Sequence, residues 1–283
     1  MKIVKANRSK SFVRLGLSGP AGCGKTYSSL LIAKGLVGSL SNVVLIDSEN
    51  GSGHLYAHLG TYNVIALDNS FSPSKYIKAI KLAIDNGATC IIIDSLSHAW
   101  ESVVNLHHQM SGNSFKNWGI VKSQFNELIQ EILSSNVHII ATFRTKSDYI
   151  ITTADGGKML PKKVGLKSIT SDGTDYEFTL LFDLDLDHNA NVSKDRTELF
   201  KGKRNFKLDE LTGRSLLLWC NSDHLEDTRN QIRASNTIVK LTELYQANKE
   251  MYPLLKDDFD KQRAKINQTI IKQTKISENG IHR

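Results

Sequence analysis

The sequence predicts an α/β fold: a mainly parallel sheet flanked by helices, with an antiparallel β extension and a helical C-terminal tail. Three observations carry this expectation. Short β-type apolar runs alternate with helix-length segments through the first 150 or so residues, which is the rhythm of a parallel sheet. One of those runs, Cys90-Ile-Ile-Ile93, is continuously apolar, as a strand covered on both faces must be. From Tyr176 the pattern changes to alternation at period two, which suits an antiparallel strand.

Taken in order, the β runs fall at Phe12 to Leu17, Val43 to Ile46, Val64 to Leu67, Cys90 to Ile93 and Val137 to Thr142. A first helix opens at Lys25 and runs to about Val37. A second starts at Ser72-Pro73 and stops at Gly87, since proline suits the first helical position and glycine the end. A third spans Trp118 to Ser134, with Val121, Phe125, Leu128, Ile129 and Ile132 on one face. Arg144 to Lys167, with Gly156-Gly157 and Pro161, reads as a long loop, a kind that is usually functional or mobile. Tyr176 to Asp187 and a second run near Arg196 to Phe200 read as the antiparallel extension. From about Leu225 onward there are helical patches interrupted at Pro253, which divides the chain into a core, 1–222, and a tail, 223–283.

Composition narrows the class. The chain has 283 residues, 40% of them hydrophobic and 23% charged, which excludes global disorder and leaves ample length for a core. No run approaches the roughly 18 to 20 apolar residues of a membrane helix, and the first ten residues lack the apolar stretch of a signal peptide. Three distant cysteines, Cys23, Cys90 and Cys220, fit a reducing compartment and no zinc site. A cytoplasmic protein with no membrane partner is expected. The net charge of +7 is a weak pull toward a polyanion.

The strongest motif is Gly19, Pro20, Ala21, Gly22, Cys23, Gly24, Lys25 and Thr26, a phosphate loop lying between a strand and a helix, with Tyr27 directly following. Its glycines let backbone N–H groups turn toward phosphate oxygens, Lys25 reaches the β and γ phosphates, and Thr26 holds Mg²⁺. Such a loop needs an acid at a neighbouring strand end, and Asp94 closes the Cys90 run. A second strand end offers Asp47 and Glu49; Glu49, two residues further out, suits a water-positioning role, against the plainer reading of a solvated loop acid.

These motifs, in this order, resemble the RecA-like recombinase ATPases, specifically the short RecA-core ATPases that bacteriophages encode for recombination and single-strand annealing. The resemblance runs from about Phe12 to Phe200 and implies a RecA-like P-loop NTPase core that uses ATP and Mg²⁺. It assigns water activation to Glu49. Arg144 stands where that family usually has a glutamine sensing the γ-phosphate, so this chain departs from the pattern there. Lys194 and Arg196 resemble the basic pair that reaches a neighbouring subunit's γ-phosphate, which implies an oligomer or filament; a pair of exposed bases on one strand face reads as well.

Two segments occupy the places of that family's mobile DNA-binding loops: His107 to Trp118, and Arg144 to Lys167. The second holds six bases against two acids. Lys146, Lys158, Lys162, Lys163 and Lys167 are thus the candidates for single-stranded DNA phosphates, with Tyr149 or Phe115 as stacking aromatics. The alternative is a basic surface loop. Lys201 to Lys207 is a third basic patch. Asp183, Asp185 and Asp187 alternate with apolar residues and read as the polar face of a strand.

The resulting expectation is a DNA-stimulated ATPase acting in recombination or annealing, with single-stranded DNA, further copies of itself and a single-strand DNA-binding protein as partners. Two competitors stand beside it: a nucleotide-gated DNA-binding module with negligible turnover, and a small-molecule phosphotransferase.

Overall fold

The computed structural model describes residues 11–68, 70–153 and 159–280, which divide into two compact units, one spanning Phe12–Leu218 and the other taking in the chain from Trp219. The first unit is built on strands β1 (Arg14–Gly19), β2 (Val43–Asp47), β3 (Asn63–Ala66), β4 (Cys90–Asp94), β5 (His138–Thr153), β6 (Met159–Ser168), β7 (Leu180–Leu184) and β8 (Ala190–Asp195). Their order is β3-β2-β4-β5-β1-β7-β8, with β6 paired to β5. All pairings from β3 through β7 are parallel; only β6 and β8 run antiparallel to their neighbours.

The register aligns one edge of the sheet. Gly19 lies opposite Arg144, and Asp47 opposite Asp94, so the ends of β1, β2 and β4 meet side by side with Arg144 of β5. The strands between them are fully buried, which is why β1, β2 and β4 read as apolar runs.

The helices of this unit are α1 (Lys25–Val37), α2 (Pro73–Asp85), α3 (Leu96–Gln109), α4 (Ser114–Ser134), the short α5 (Thr174–Glu177) and α6 (Glu210–Cys220), the last of which crosses the division between the units. Tyr76, Ile80, Val103, Phe125, Leu128 and their neighbours on α2, α3 and α4 pack against one sheet face through Val44, Ile46, Ile91, Ile93, Ile139 and Ala141. On these strands the intervening residues Leu45, Ile92 and Ile140 are also solvent-free, and α1 packs on β1, β4 and β5. Helices α1 and α6 approach backbone to backbone at Gly35 and Gly213; a Cβ on Gly213 would sit 2.1 Å from the Ile32 carbonyl oxygen.

The second unit holds α7 (Ser222–Ala234), α8 (Ile238–Ala247) and α9 (Tyr252–Gly280), closed over Leu225, Ile232, Leu241, Leu255, Phe259 and Ile266. Arg229 pairs with Asp258 at 3.2 Å across α7 and α9. The expected break at Pro253 is instead the first turn of α9, a position proline tolerates.

Four expectations are corrected. Among the described residues, the span from Arg144 to Lys167 is strand and not loop: β5 runs to Thr153 and pairs antiparallel with β6, because Ile150-Ile-Thr-Thr153 is a β-branched run and Pro161 falls on a strand that, among the described residues, has one partner. His107 to Trp118 is mostly the end of α3 and the start of α4, leaving only Met110 to Asn113 between them, with the Asn113 side chain capping Lys116 N. The run at Arg196 to Phe200 is a turn; the strand before it, β8, ends at Asp195, whose carboxylate accepts from the N–H groups of Thr197, Glu198 and Phe200. Tyr176 belongs to α5, so the extension begins only at Leu180; β7 joins the parallel sheet through β1 and pairs antiparallel with β8, as expected of the extension.

Candidate functional site

The phosphate loop begins at the aligned sheet edge. Gly22 and Gly24 adopt left-handed φ values of 81° and 88°, which turn the backbone before α1 starts at Lys25. The Lys25 ammonium folds back on the loop, donating to the Gly19 and Pro20 carbonyls at 2.9 and 2.8 Å. Cys23 is buried beneath it, and burial pushes its thiol up against the opposing pull of Lys25. Tyr27 projects from the first turn and meets Tyr56 edge to face at 6.0 Å.

Asp94 stands next to this helix start. Thr26 Oγ1 donates to its Oδ2 at 2.5 Å, and Thr142 Oγ1, one strand over on β5, donates to its Oδ1 at 2.5 Å. Burial raises the Asp94 carboxyl, and the two hydroxyls oppose that shift. Asp47 serves the backbone instead: its oxygens accept from Glu49 N at 2.6 Å and Gly53 N at 2.9 Å, fixing the segment that carries Glu49.

Glu49 and Arg144 meet as a two-point pair. Arg144 Nε donates to Glu49 Oε1 at 2.8 Å and Nη2 to Oε2 at 2.5 Å. Burial alone would raise the Glu49 carboxyl, but the Arg144 bonds and charge, helped by His98 at 3.9 Å, hold it below its usual range. His98 is itself placed by Ser48 Oγ at 2.8 Å from its Nδ1 and by the stacked ring of Phe71. Ser97 Oγ accepts from Arg144 N at 3.0 Å.

Lys25, Thr26, Tyr27, Glu49, Asp94 and Arg144 line one cavity of about 1050 Å³, at the large end for small-molecule sites. The hard oxygens of Thr26 and Asp94 are side by side, a donor set suited to Mg²⁺ with its waters. Residues that the sequence pattern did not assign to the phosphate loop share the wall. His188, from the β7–β8 turn, has a left-handed φ of 61°; its Nδ1 lies 3.2 Å from where a Cβ on Gly24 would stand. Lys207 lines the cavity as well, its ammonium donating to the Asp187 carbonyl. Thr142 had a signal, being a polar residue in a buried strand; Lys207 was visible only as the end of the third basic patch, and His188 had no signal, since only the fold brings them to the loop.

Other expected residues lie elsewhere. Lys194 Nζ donates to the Asp175 and Tyr176 carbonyls at 2.7 Å each, and Arg196 Nη2 to the Tyr176 carbonyl at 2.8 Å; neither lines the phosphate-loop cavity within the chain. Lys146 lies opposite Lys167 in the hairpin, Ile150 opposite Lys162 and Tyr149 opposite Lys163. Lys167 pairs with Asp172 at 2.9 Å. Lys158 and the Gly156-Gly157 pair lie outside the described residues. Phe115 is exposed at the start of α4, whereas Trp100 and Trp118 stack on each other beside Phe125 as packing residues. Of the three alternating acids only Asp183 is on a strand; Asp185 caps the β7–β8 turn through Asn189 N, and Asp187 belongs to that turn. Among the described residues no group of His, Cys, Asp and Glu side chains could hold a metal by itself, and no helix is long and apolar enough to cross a membrane.

Compared with known proteins, residues 11–214 match a family model described as an AAA domain, which spans the sheet, the phosphate loop and every residue lining the cavity. No curated protein matches the chain.

Proposed function

The chain belongs to the AAA domain family, whose phosphate loop makes it a nucleotide-binding ATPase domain, and from that premise we propose that it is an ATP-hydrolysing, single-stranded-DNA-binding protein of the phage recombination type, working in the cytoplasm. One observation carries the reading. Strand β5 holds Thr142 on Asp94 and Arg144 on Glu49, then continues without a break into the hairpin that carries Lys146, Lys162, Lys163 and Lys167. A change at the nucleotide therefore acts on the strand that carries Lys146 and is paired with β6, which carries Lys162, Lys163 and Lys167.

In this mechanism the backbone N–H groups of Gly22 to Thr26 and the Lys25 ammonium bind the phosphates of ATP. Thr26 and Asp94 would hold Mg²⁺, which when bound would supply neutralisation of phosphate charge. Glu49 orients the attacking water and takes its proton. Arg144 releases Glu49 when its guanidinium turns to the γ-phosphate, and reclaims it after hydrolysis. The hairpin lysines neutralise DNA phosphates irrespective of sequence. Lys194 and Arg196, which do not reach their own chain's cavity, are available to a neighbouring copy's γ-phosphate in an oligomer or filament, and a single-strand DNA-binding protein is a further partner. The recombination branch of this reading rests on the motif resemblance and the hairpin charge.

Steady-state ATP hydrolysis with and without single-stranded DNA tests it, alongside Glu49→Gln. Wild type is expected to be stimulated by DNA, and the variant to fall by about 100-fold or more in both conditions. Hydrolysis indifferent to DNA would sink the DNA-coupled reading. The closed Glu49–Arg144 pair favours one competitor, a DNA-binding module gated by ATP without turnover; absent hydrolysis with ATP-dependent DNA binding selects it.

A further inference from the structure

A second cavity, of about 520 Å³, lies on the sheet face that α2, α3 and α4 cover over β2, β4 and β5. Past Phe143 that face continues onto β1, β7 and β8 as Ser18, Leu181, Asp183 and Ser193, which form the cavity floor. A Cβ on Gly16 would strike both Leu181 and Phe143, so these side chains share the face. The segment from Leu166 to Tyr176 walls it in. This cavity is distinct from the phosphate-loop one: Phe143 and Ser168 line the first, and the residues that follow them, Arg144 and Ile169, line the other. Ser18 Oγ and Ser168 Oγ bond at 2.6 Å along the partition.

The lining supplies three kinds of group. Two large apolar side chains stand exposed in it, Tyr176 at 70% and Leu166 at 53%, and the first offers an aromatic face to an unstacked base. The Tyr176 backbone is fixed, its carbonyl accepting from Lys194 Nζ and Arg196 Nη2. On the floor, desolvation raises the Asp183 carboxyl, and the Ser193 hydroxyl bonded to it opposes the shift. An ionised carboxylate there accepts hydrogen bonds and can give none. At the rim three cations from three elements gather on Asp172: Lys167 of β6 at 2.9 Å, then Lys122 of α4 and Lys146 of β5, whose charges hold its carboxyl below the usual range.

We propose that this cavity takes one unstacked base of single-stranded DNA, a base with an exocyclic amine such as cytosine. The amine donates to Asp183, the ring lies against Tyr176, and the flanking phosphates meet Lys122, Lys146 and Lys167. Thymine shows a carbonyl oxygen where cytosine has its amine, so the same carboxylate disfavours it. This deepens the single-stranded-DNA reading and rests on it, adding Lys122, Tyr176 and Asp183 to an interface otherwise read from hairpin charge.

The test is equilibrium binding of the full chain to oligo(dC) and oligo(dT) of equal length at neutral pH over a salt series, with thermal melts of each variant free of DNA. Wild type is expected to bind oligo(dC) about tenfold tighter than oligo(dT). Asp183→Asn brings that ratio to about twofold or less, because an amide serves the thymine oxygen as well as the cytosine amine. Tyr176→Ala weakens both strands about tenfold. Lys122→Ala lowers the slope of log affinity against log salt by about 0.7 and leaves the ratio alone. Equal affinities of wild type for the two strands, or a ratio unchanged in Asp183→Asn, would overturn the base pocket. Should Asp183→Asn melt low, Tyr176→Ala decides, since that ring is exposed; wild-type DNA affinity in it overturns the pocket as well. Wild type that binds neither strand overturns the DNA reading itself, a failure visible before any variant is made.

Discussion

Acid sensitivity should arise at the sheet edge away from the phosphate loop. There the His138 ring accepts from Val13 N at 3.1 Å through Nδ1, an interaction that requires the neutral imidazole. Burial, aided by the neighbouring Arg14 charge, pushes its pKa from an ordinary 6.5 down to about 4. A group whose folded pKa is depressed in this way binds its proton more readily in the unfolded chain. Its contribution is whole above pH 6.5 and is lost as pH falls toward 4. Linkage between those two values makes the loss from pH 7 to pH 5 about 2 kcal/mol, a window in which most carboxylates keep their charge. For a unit of this size that corresponds to a fall in Tm of about 4–8 °C. His138→Gln keeps an acceptor for Val13 N but cannot titrate. Thermal melts at pH 7, 6 and 5 should therefore show wild type falling by that amount and His138→Gln nearly flat. A wild-type Tm unchanged between pH 7 and 5, or an equal fall in the variant, would refute the reasoning.

Arg14→Met should cost about 3 kcal/mol, read by urea or thermal unfolding, because the buried guanidinium donates to the carbonyls of Val13, Leu133, Ser135 and Val137 and its removal strands them at the end of α4. Replacing Lys162 and Lys163 together with Ala should weaken single-stranded DNA binding and lower the slope of log affinity against log salt by roughly 1.4, at about 0.7 per phosphate contact on a single strand; an unchanged slope removes the hairpin from the interface.

The phosphate loop was legible because its chemistry is local: the glycines, Lys25 and Thr26 are consecutive, and the loop turns where Gly22 and Gly24 allow left-handed backbone. Asp94 and Glu49 were legible as acids at strand ends, and the structure brings both to the same cavity as Lys25. Their partners were not. Thr142 reaches Asp94 only because β5 lies beside β4, and a linear pattern does not state strand order. The hairpin was hidden by its lysines, glycines and Pro161, which mimic a loop when the β-branched run in Ile150 to Thr153 is discounted. Helix α3 was missed because only Leu96, Ser97, Ala99 and Val103 are buried on it, too sparse an apolar stripe to stand out among histidines and serines.

The unbroken length of β5 limits how the hairpin can respond. Side chains alternate faces along a strand, so sliding β5 by one residue against β1 and β4 would turn Thr142 and Arg144 away from their acids. In the proposed mechanism, nucleotide state can therefore act only on the tilt or twist of the two strands, not on their extension. The hairpin's reach becomes a fixed dimension, set by how many residues each arm holds. Adding two residues to both arms would lengthen it by about 7 Å while keeping every existing residue on its face; adding one would invert everything beyond the insertion. Hairpin length is thus a tunable ruler between the ATP cavity and whatever the tip touches, adjustable in steps of two.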